Sequence, residues 1–117
     1  MQSRYAFGTP VRWDQNETIE RVTAALKEEG FGVLTTIDVQ ATLKEKIDVD
    51  REPYVILGAC SPQLANKALD AEPEIGVLLP CNVVVYQMNG STHVSFMDPE
   101  AALSLTGNSQ IEDVATE

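Results

Sequence analysis

The sequence predicts an α+β fold, a two-layer sandwich in which two main helices cover one face of a mainly antiparallel sheet. Amphipathic helical segments, with apolar residues three and four positions apart, alternate along the chain with short β-branched segments. The Asn89-Gly90 pair is the strongest hairpin signal in the chain and joins two strands near its C-terminal end. Together these observations predict a ferredoxin-like core with an added C-terminal hairpin strand and helix.

The bounds of each element are predicted from where its pattern begins and ends. Asn16 is expected to cap the first main helix, and Gly30 to close it in the left-handed conformation. Ser61 followed by Pro62 predicts the start of the second main helix, because a hydroxyl cap precedes a proline at the first helical position. The predicted order is a strand over 4–12, a helix over 16–29, a strand over 31–39, a short helix over 40–47, a strand over 54–60, a helix from Pro62 that ends before Pro73, a strand over 75–87, a strand over 92–97 and a helix from Asp98 toward Gly107.

Length and composition indicate one domain over residues 1–117, with 108–117 as a frayed acidic tail. The formal net charge of −10 at pH 7 repels phosphate backbones and anionic lipids, so we expect neither nucleic-acid nor membrane binding. The N-terminus has no apolar signal segment, and the two cysteines are too few for a disulfide scaffold. We therefore expect a reducing cytoplasm, in which both thiols are free.

Cys60 and Cys81 are the main candidates for chemistry. Cys60 directly precedes the expected helix N-terminus, whose unpaired N–H groups favour a thiolate. Cys81 follows Pro80, which marks a strand start, an edge or a bulge. A metal site, a redox pair, a reactive thiolate and a pair of small buried side chains all fit these positions. In a ferredoxin-like order the two strands run parallel and about 10 Å apart, with another strand between them, which argues against an intrachain disulfide.

The other polar and aromatic motifs are expected to be structural. His93 is the only histidine, and on a strand we expect it to be exposed rather than to serve either thiol as a base. The carboxylates of residues 48–52 resemble a cation loop but lack its glycine and bidentate glutamate, so we expect a solvated turn. Trp13 and Tyr5 could stack on a ligand, but a core or interface role is the better prediction.

Apolar runs over 54–60 and 75–85 predict strands that are apolar on both faces. A two-layer sandwich covers only one face of its sheet with helices, so the second face needs another partner. We expect that partner to be a second copy of the chain. The alternative is that residues such as Val84 and Tyr86 are scattered apolar residues of an ordinary surface.

Three segments of the sequence resemble the DUF302 family of small bacterial and archaeal domains of unknown function. They are residues 31–34, residues 54–60 with the following Pro62, Leu64 and Ala65, and residues 76–83. The resemblance covers about residues 31–99 and implies an α+β fold with a curved antiparallel sheet, usually described as dimeric. Ser61 stands where the family commonly has asparagine, and both residue types cap helices well. The family brings no established reaction, but both cysteine motifs belong to its pattern.

These observations leave three functions open. The first is a small homodimeric binding module that holds a ligand or a soft metal ion, zinc or copper(I), at Cys60 and Cys81, with Ser61 and Asn82 beside them. Two cysteines leave the coordination incomplete, so a partner chain or an exogenous ligand would have to complete it. The second is a thiol-dependent enzyme or redox sensor that uses Cys60 or Cys81 and requires a depressed thiol pKa. The third is a structural or regulatory dimer whose cysteines only pack.

Overall fold

Five strands make one antiparallel sheet, and helices pack on it. The computed structural model describes residues 6–79 and 81–98. The elements are, in chain order, β1 (Ala6–Val11), α1 (Gln15–Glu28), β2 (Gly32–Asp38), α2 (Val39–Ile47), β3 (Tyr54–Cys60), α3 (Pro62–Ala71), a 3-10 helix (Pro73–Leu78), β4 (Cys81–Met88) and β5 (Ser91–Met97). The predicted α+β class and the antiparallel character of the sheet are confirmed.

The strands lie in the order β1-β5-β4-β3-β2, and every neighbouring pair is antiparallel. The ferredoxin-like strand order, in which β3 and β4 would run parallel with another strand between them, is therefore wrong. The cause is the connection between them, because α3 and the 3-10 helix reverse the chain so that β4 pairs directly with β3. The turn at Asn89 and Gly90 then places β5 beside β4. Both turn residues have the positive φ, 53° and 82°, that a type I′ hairpin needs.

Helix α1 packs on one face of the sheet, which we call the inner face. Alternate strand residues point to this face, and their apolar side chains meet the apolar stripe of α1. The buried core here consists of Val55, Leu57, Val83, Val85 and Val94, with Ile19, Val22 and Leu26 of α1 packed against it. The helix is capped by Asp14 and not by the predicted Asn16, since Asp14 Oδ1 accepts a hydrogen bond from the backbone N of Glu17 at 2.8 Å. Gly30 follows the helix with a φ of 84°, as predicted.

The segment after α3 is a 3-10 helix, although the sequence predicts a strand from residue 75. Ile75 is only 1% exposed and forms a second small core with Ala68 of α3. The same apolar residues that suggested a strand are buried here against a neighbouring helix, and a short apolar run does not distinguish these two environments. The strand itself begins at Cys81. Helix α3 starts as predicted, with Ser61 at the cap position and Pro62 in the first turn.

Some predicted features lie outside the described residues. These are Tyr5 and the start of the first strand, Pro80, the C-terminal helix beyond Asp98, and the acidic tail over 108–117. Over residues 6–79 and 81–98, no helix has the length and apolar character needed to cross a membrane. The single domain over residues 1–117 stays a prediction.

Candidate functional site

Cys60 and Cys81 come together at the corner of the sheet where β3 ends and β4 begins. Cys60 is the last residue of β3 and lies opposite Gly32 of β2, while Cys81 is the first residue of β4 and lies opposite Ala59. Since Ala59 directly precedes Cys60, the two cysteines occupy diagonal positions on adjacent antiparallel strands. With about 5 Å between paired Cα atoms and a rise of about 3.3 Å per residue, their Cα atoms lie about 6 Å apart. The predicted separation of about 10 Å, with another strand between them, is wrong.

The surroundings of the Cys81 thiol raise its pKa. Both cysteines are partly buried, and neither forms a disulfide. Burial is the larger cause, and the neighbouring Cys60 raises the pKa of Cys81 further. A raised pKa keeps Cys81 in its thiol form at neutral pH. A reactive nucleophile needs the opposite shift, so this environment disfavours Cys81 as a catalytic thiolate.

Ser61 and Asn82, the other two predicted site residues, directly follow Cys60 and Cys81 in the chain, Ser61 at the cap of α3 and Asn82 within β4. Ser61 is partly buried, and its hydroxyl makes no capping bond to α3. Its carbonyl oxygen accepts a hydrogen bond from Cys60 Sγ at 3.6 Å. Asn82 is exposed, lies opposite Gly58, and by strand alternation points to the face opposite Cys81. The structure thus groups Cys60 and Cys81 with Ser61 and turns Asn82 away from Cys81.

Cys60 lies where the regular alternation of side chains along β3 ends. Cys60 ends β3, and the chain enters α3 two residues later, at Pro62. Its hydrogen bond to the Ser61 carbonyl oxygen places its sulfur where β3 leads into α3.

The corner supplies two soft ligands for a metal ion. In the part of the chain that the structure describes, no group of three or more His, Cys, Asp or Glu side chains could hold a metal. A structural zinc site takes four ligands, so zinc would need further donors from outside this set. Copper(I) selects thiolates and accepts a low coordination number, so the pair suits copper(I) better.

His93 lies far from the cysteines, in a row of stacked rings that the sequence analysis missed. Tyr54, Tyr86 and His93 stack across β3, β4 and β5, with ring centroids 5.3 Å apart at each step. This stacking leaves His93 partly buried, whereas the sequence suggested an exposed residue. Tyr86 stands five residues from Cys81 on β4, about 17 Å along the strand, so His93 is too distant to act as a base for the thiols. Only the strand register brings these rings side by side, and no local pattern signals it.

The remaining sequence motifs have partners within the chain. Lys44 Nζ lies 2.8 Å from Asp48 Oδ1 and 3.2 Å from Asp50 Oδ1, and these contacts raise the pKa of Lys44. Both carboxylates are strongly exposed, so residues 48–52 form a solvated turn, as predicted. The centroid of the Trp13 ring lies 4.3 Å from the guanidinium carbon of Arg21, which occupies one ring face in a cation–π contact.

Comparison with known proteins links the whole described sheet to one family. The model of DUF302, a domain of unknown function, matches residues 7–117. The chain is also similar to the crystal structure of an uncharacterized conserved DUF302 protein from Bacillus stearothermophilus. The two are 36% identical, the match covers 97% of this chain and 89% of that one, and the TM-score is 0.90. No curated protein matches the chain significantly.

Proposed function

The chain belongs to the DUF302 family, and from this premise we propose that it is a homodimeric binding module that holds a soft metal ion, copper(I) in particular, at Cys60 and Cys81. One observation carries the proposal: Cys60 and Cys81 are diagonal neighbours on adjacent strands. A partner chain or an exogenous ligand completes the coordination. Location in a reducing cytoplasm is part of the proposal, because it keeps both thiols available as ligands.

A bound metal ion tolerates a wider separation of the two sulfur atoms than a disulfide does. A metal–sulfur bond is about 2.3 Å long, so a bridged pair of sulfur atoms can stand more than about 4 Å apart. A disulfide requires about 2 Å and a narrow range of dihedral angles. The side chains of Cys60 and Cys81 therefore need to adjust less to share a metal ion than to form a disulfide. The raised pKa of Cys81 adds a prediction, since its proton must leave when metal binds and affinity therefore rises with pH.

Anaerobic titration with copper(I) against a chromogenic competing chelator tests this proposal. We expect the wild-type chain to bind copper(I), and Cys60→Ser and Cys81→Ser each to weaken the affinity by more than about 100-fold, because each removes one of the two thiolates. Asn66→Ser, an exposed change to serine on α3, is the matched control and should bind as the wild type does. Zinc should bind more weakly than copper(I) in all four proteins.

Two results would count against the copper(I) site. One is a wild-type chain that fails to compete with the chelator at any pH from about 6 to about 10, a range that extends above the ordinary pKa of a thiol. The other is an affinity that stays the same after Cys60→Ser. Circular dichroism of each variant separates loss of ligands from loss of fold.

A thiol redox sensor is the second candidate, and the estimated Cα separation of about 6 Å favours it. In that reaction peroxide takes one hydrogen atom from each thiol, the two sulfur atoms join, and two water molecules are released. The product would be lighter than the dithiol by about 2 Da, which intact mass measurement after peroxide treatment detects. We rank this reaction second because a disulfide requires a shorter sulfur–sulfur distance and a narrower range of dihedral angles than a metal bridge does. A chain that shows neither copper(I) binding nor this mass change would leave the third function, a dimer whose cysteines only pack.

A further inference from the structure

The face of the sheet opposite α1, which we call the outer face, has an unusual composition. Strand alternation assigns to it residues 35 and 37 of β2, the even-numbered residues 54–58 of β3, 82–88 of β4 and 6–10 of β1, and the odd-numbered residues 91–97 of β5. None of these positions holds Asp, Glu, Lys or Arg, although such residues make up 22% of the chain. The face carries the stacked Tyr54, Tyr86 and His93 and the apolar Ile37, Ile56 and Val84.

This face is also open to solvent. Every outer-face residue with a side chain keeps part of its surface exposed, whereas Leu57 and Val85 on the inner face are completely buried. Ile37 is 46% exposed. The face is uncharged and largely apolar, with Thr35, Asn82, Ser91 and Ser95 as polar members, and an exposed patch of this kind usually marks an interaction site.

From this composition we infer that the outer face is the interface between two copies of the chain. The inference deepens the homodimer of the proposed function and does not depend on the cysteine site. Two chains that each carry a net charge of −10 repel each other, so their contact is favoured where no like charges face each other. A two-fold axis through the face would lay apolar side chains on apolar side chains, because such an interface pairs one surface with itself.

The size of the face fits a dimer. Five strands at about 4.8 Å spacing are about 24 Å wide, and seven residues at about 3.3 Å are about 23 Å long. Each copy then contributes about 550 Å², and the two together about 1,100 Å², just above the roughly 1,000 Å² that a specific interface needs. The face is therefore large enough for a specific contact between two copies.

Val84 is the residue at which to test the interface. It lies on β4, the central strand of the sheet, between Ile56 and Ser95, so a charge there would stand in the middle of the contact. Val84→Glu and Val84→Lys should each raise the dimer dissociation constant by at least about 100-fold, since a buried unpaired charge is costly. Val77→Glu is the matched control, because Val77 is 86% exposed on the 3-10 helix, and it should dimerise as the wild type does.

Sedimentation velocity of the full-length chain, over about 1–200 µM, measures these dissociation constants, with circular dichroism as the check of folding. A wild-type dimer that both Val84 variants convert to a folded monomer supports the inference. Higher salt should tighten the wild-type dimer, because it screens the repulsion between the two acidic chains. If one Val84 variant fails to fold, the other decides.

Three results would overturn the inference. They are a wild-type chain that is monomeric over this whole range, a Val84→Lys protein that dimerises as well as Val77→Glu does, and a monomer that dimerises only after residues 99–117 are deleted. The third would mean that this segment, and not a second copy, covers the face. Copper(I) titration of the Val84→Lys monomer, with a free thiol added as the exogenous ligand, reports on the cysteine site without a partner chain, so failure of the interface and failure of the metal site are read separately.

Discussion

Gly8 lies where β1 packs tightly against β5, and Gly8→Ala tests how closely these two strands approach each other. A Cβ atom on Gly8 would overlap Ser95 Oγ and would lie 2.7 Å from the carbonyl oxygen of Val94 and 3.1 Å from Ser95 Cα. The Ser95 side chain can rotate away, but the Val94 oxygen and Ser95 Cα belong to the backbone of the neighbouring strand. The alanine therefore requires β1 to move away from β5, against the pairing that holds this edge.

The expected cost is that of overpacking, about 1–3 kcal/mol in the free energy of unfolding. With a urea dependence of about 1–2 kcal/mol per M for a chain of this size, the unfolding midpoint should fall by about 1 M. Gly32→Ala is the matched control. Gly32 is also a strand glycine, but an added Cβ would meet no atom within 4 Å, so its midpoint should change little or rise.

Urea unfolding of the two variants, at one fixed chain concentration, gives both midpoints. Equal midpoints for Gly8→Ala and Gly32→Ala would refute the close approach of β1 and β5. The double variant Gly8→Ala with Ser95→Gly sharpens the test. It should recover only part of the loss, because the contact with the Val94 oxygen stays.

Three further predictions follow from single contacts. The rate of alkylation at Cys81, followed by peptide mass mapping, should stay low at pH 7 and rise only well above it. Cys60→Ser should speed this reaction only in part, because burial is the larger cause of the raised pKa of Cys81 and Cys60 the smaller one. A pH profile that Cys60→Ser leaves unchanged would contradict the contribution of Cys60. Asp14→Ala should lower the free energy of unfolding by about 1 kcal/mol, and Asn16→Ala should lower it by much less, as measured by urea unfolding. A larger loss for Asn16→Ala than for Asp14→Ala would mean that Asn16 caps the helix. Leu57→Ala should lower the free energy of unfolding by about 3–5 kcal/mol, because Leu57 is only 1% exposed at the centre of the core. A loss below about 1 kcal/mol would mean that the core repacks around the missing side chain.

Features that depend on a few consecutive residues were predicted well from the sequence. Gly30 closes α1, Ser61 with Pro62 opens α3, and Asn89 with Gly90 turns the hairpin, each at the predicted residue. In each case the chemistry is local: a missing Cβ permits positive φ, and a proline lacks the N–H that the first helical turn leaves unpaired. The cap of α1 was missed because Asp14 and Asn16 are both good caps two residues apart.

The candidate site could be predicted only in part. The sequence singled out Cys60 and Cys81 from their position beside a helix start and a proline. It placed them about 10 Å apart, because it assumed a strand between β3 and β4, and that assumption argued against an intrachain disulfide. The row of Tyr54, Tyr86 and His93 escaped notice because the three residues are far apart in the chain.

The sequence by itself determined the class of the fold, the succession of strands β1 to β5 and helices α1 to α3 along the chain, and the identity of the two thiols. These follow from hydrophobic periodicity and from backbone preferences that act within a few residues. Only the tertiary structure decided that β4 pairs with β3, that Cys81 lies diagonal to Cys60, and that one sheet face is free of charged side chains. Strand order and register depend on which distant segments exchange hydrogen bonds and bury each other's side chains, and β-strands of similar composition fit several such arrangements.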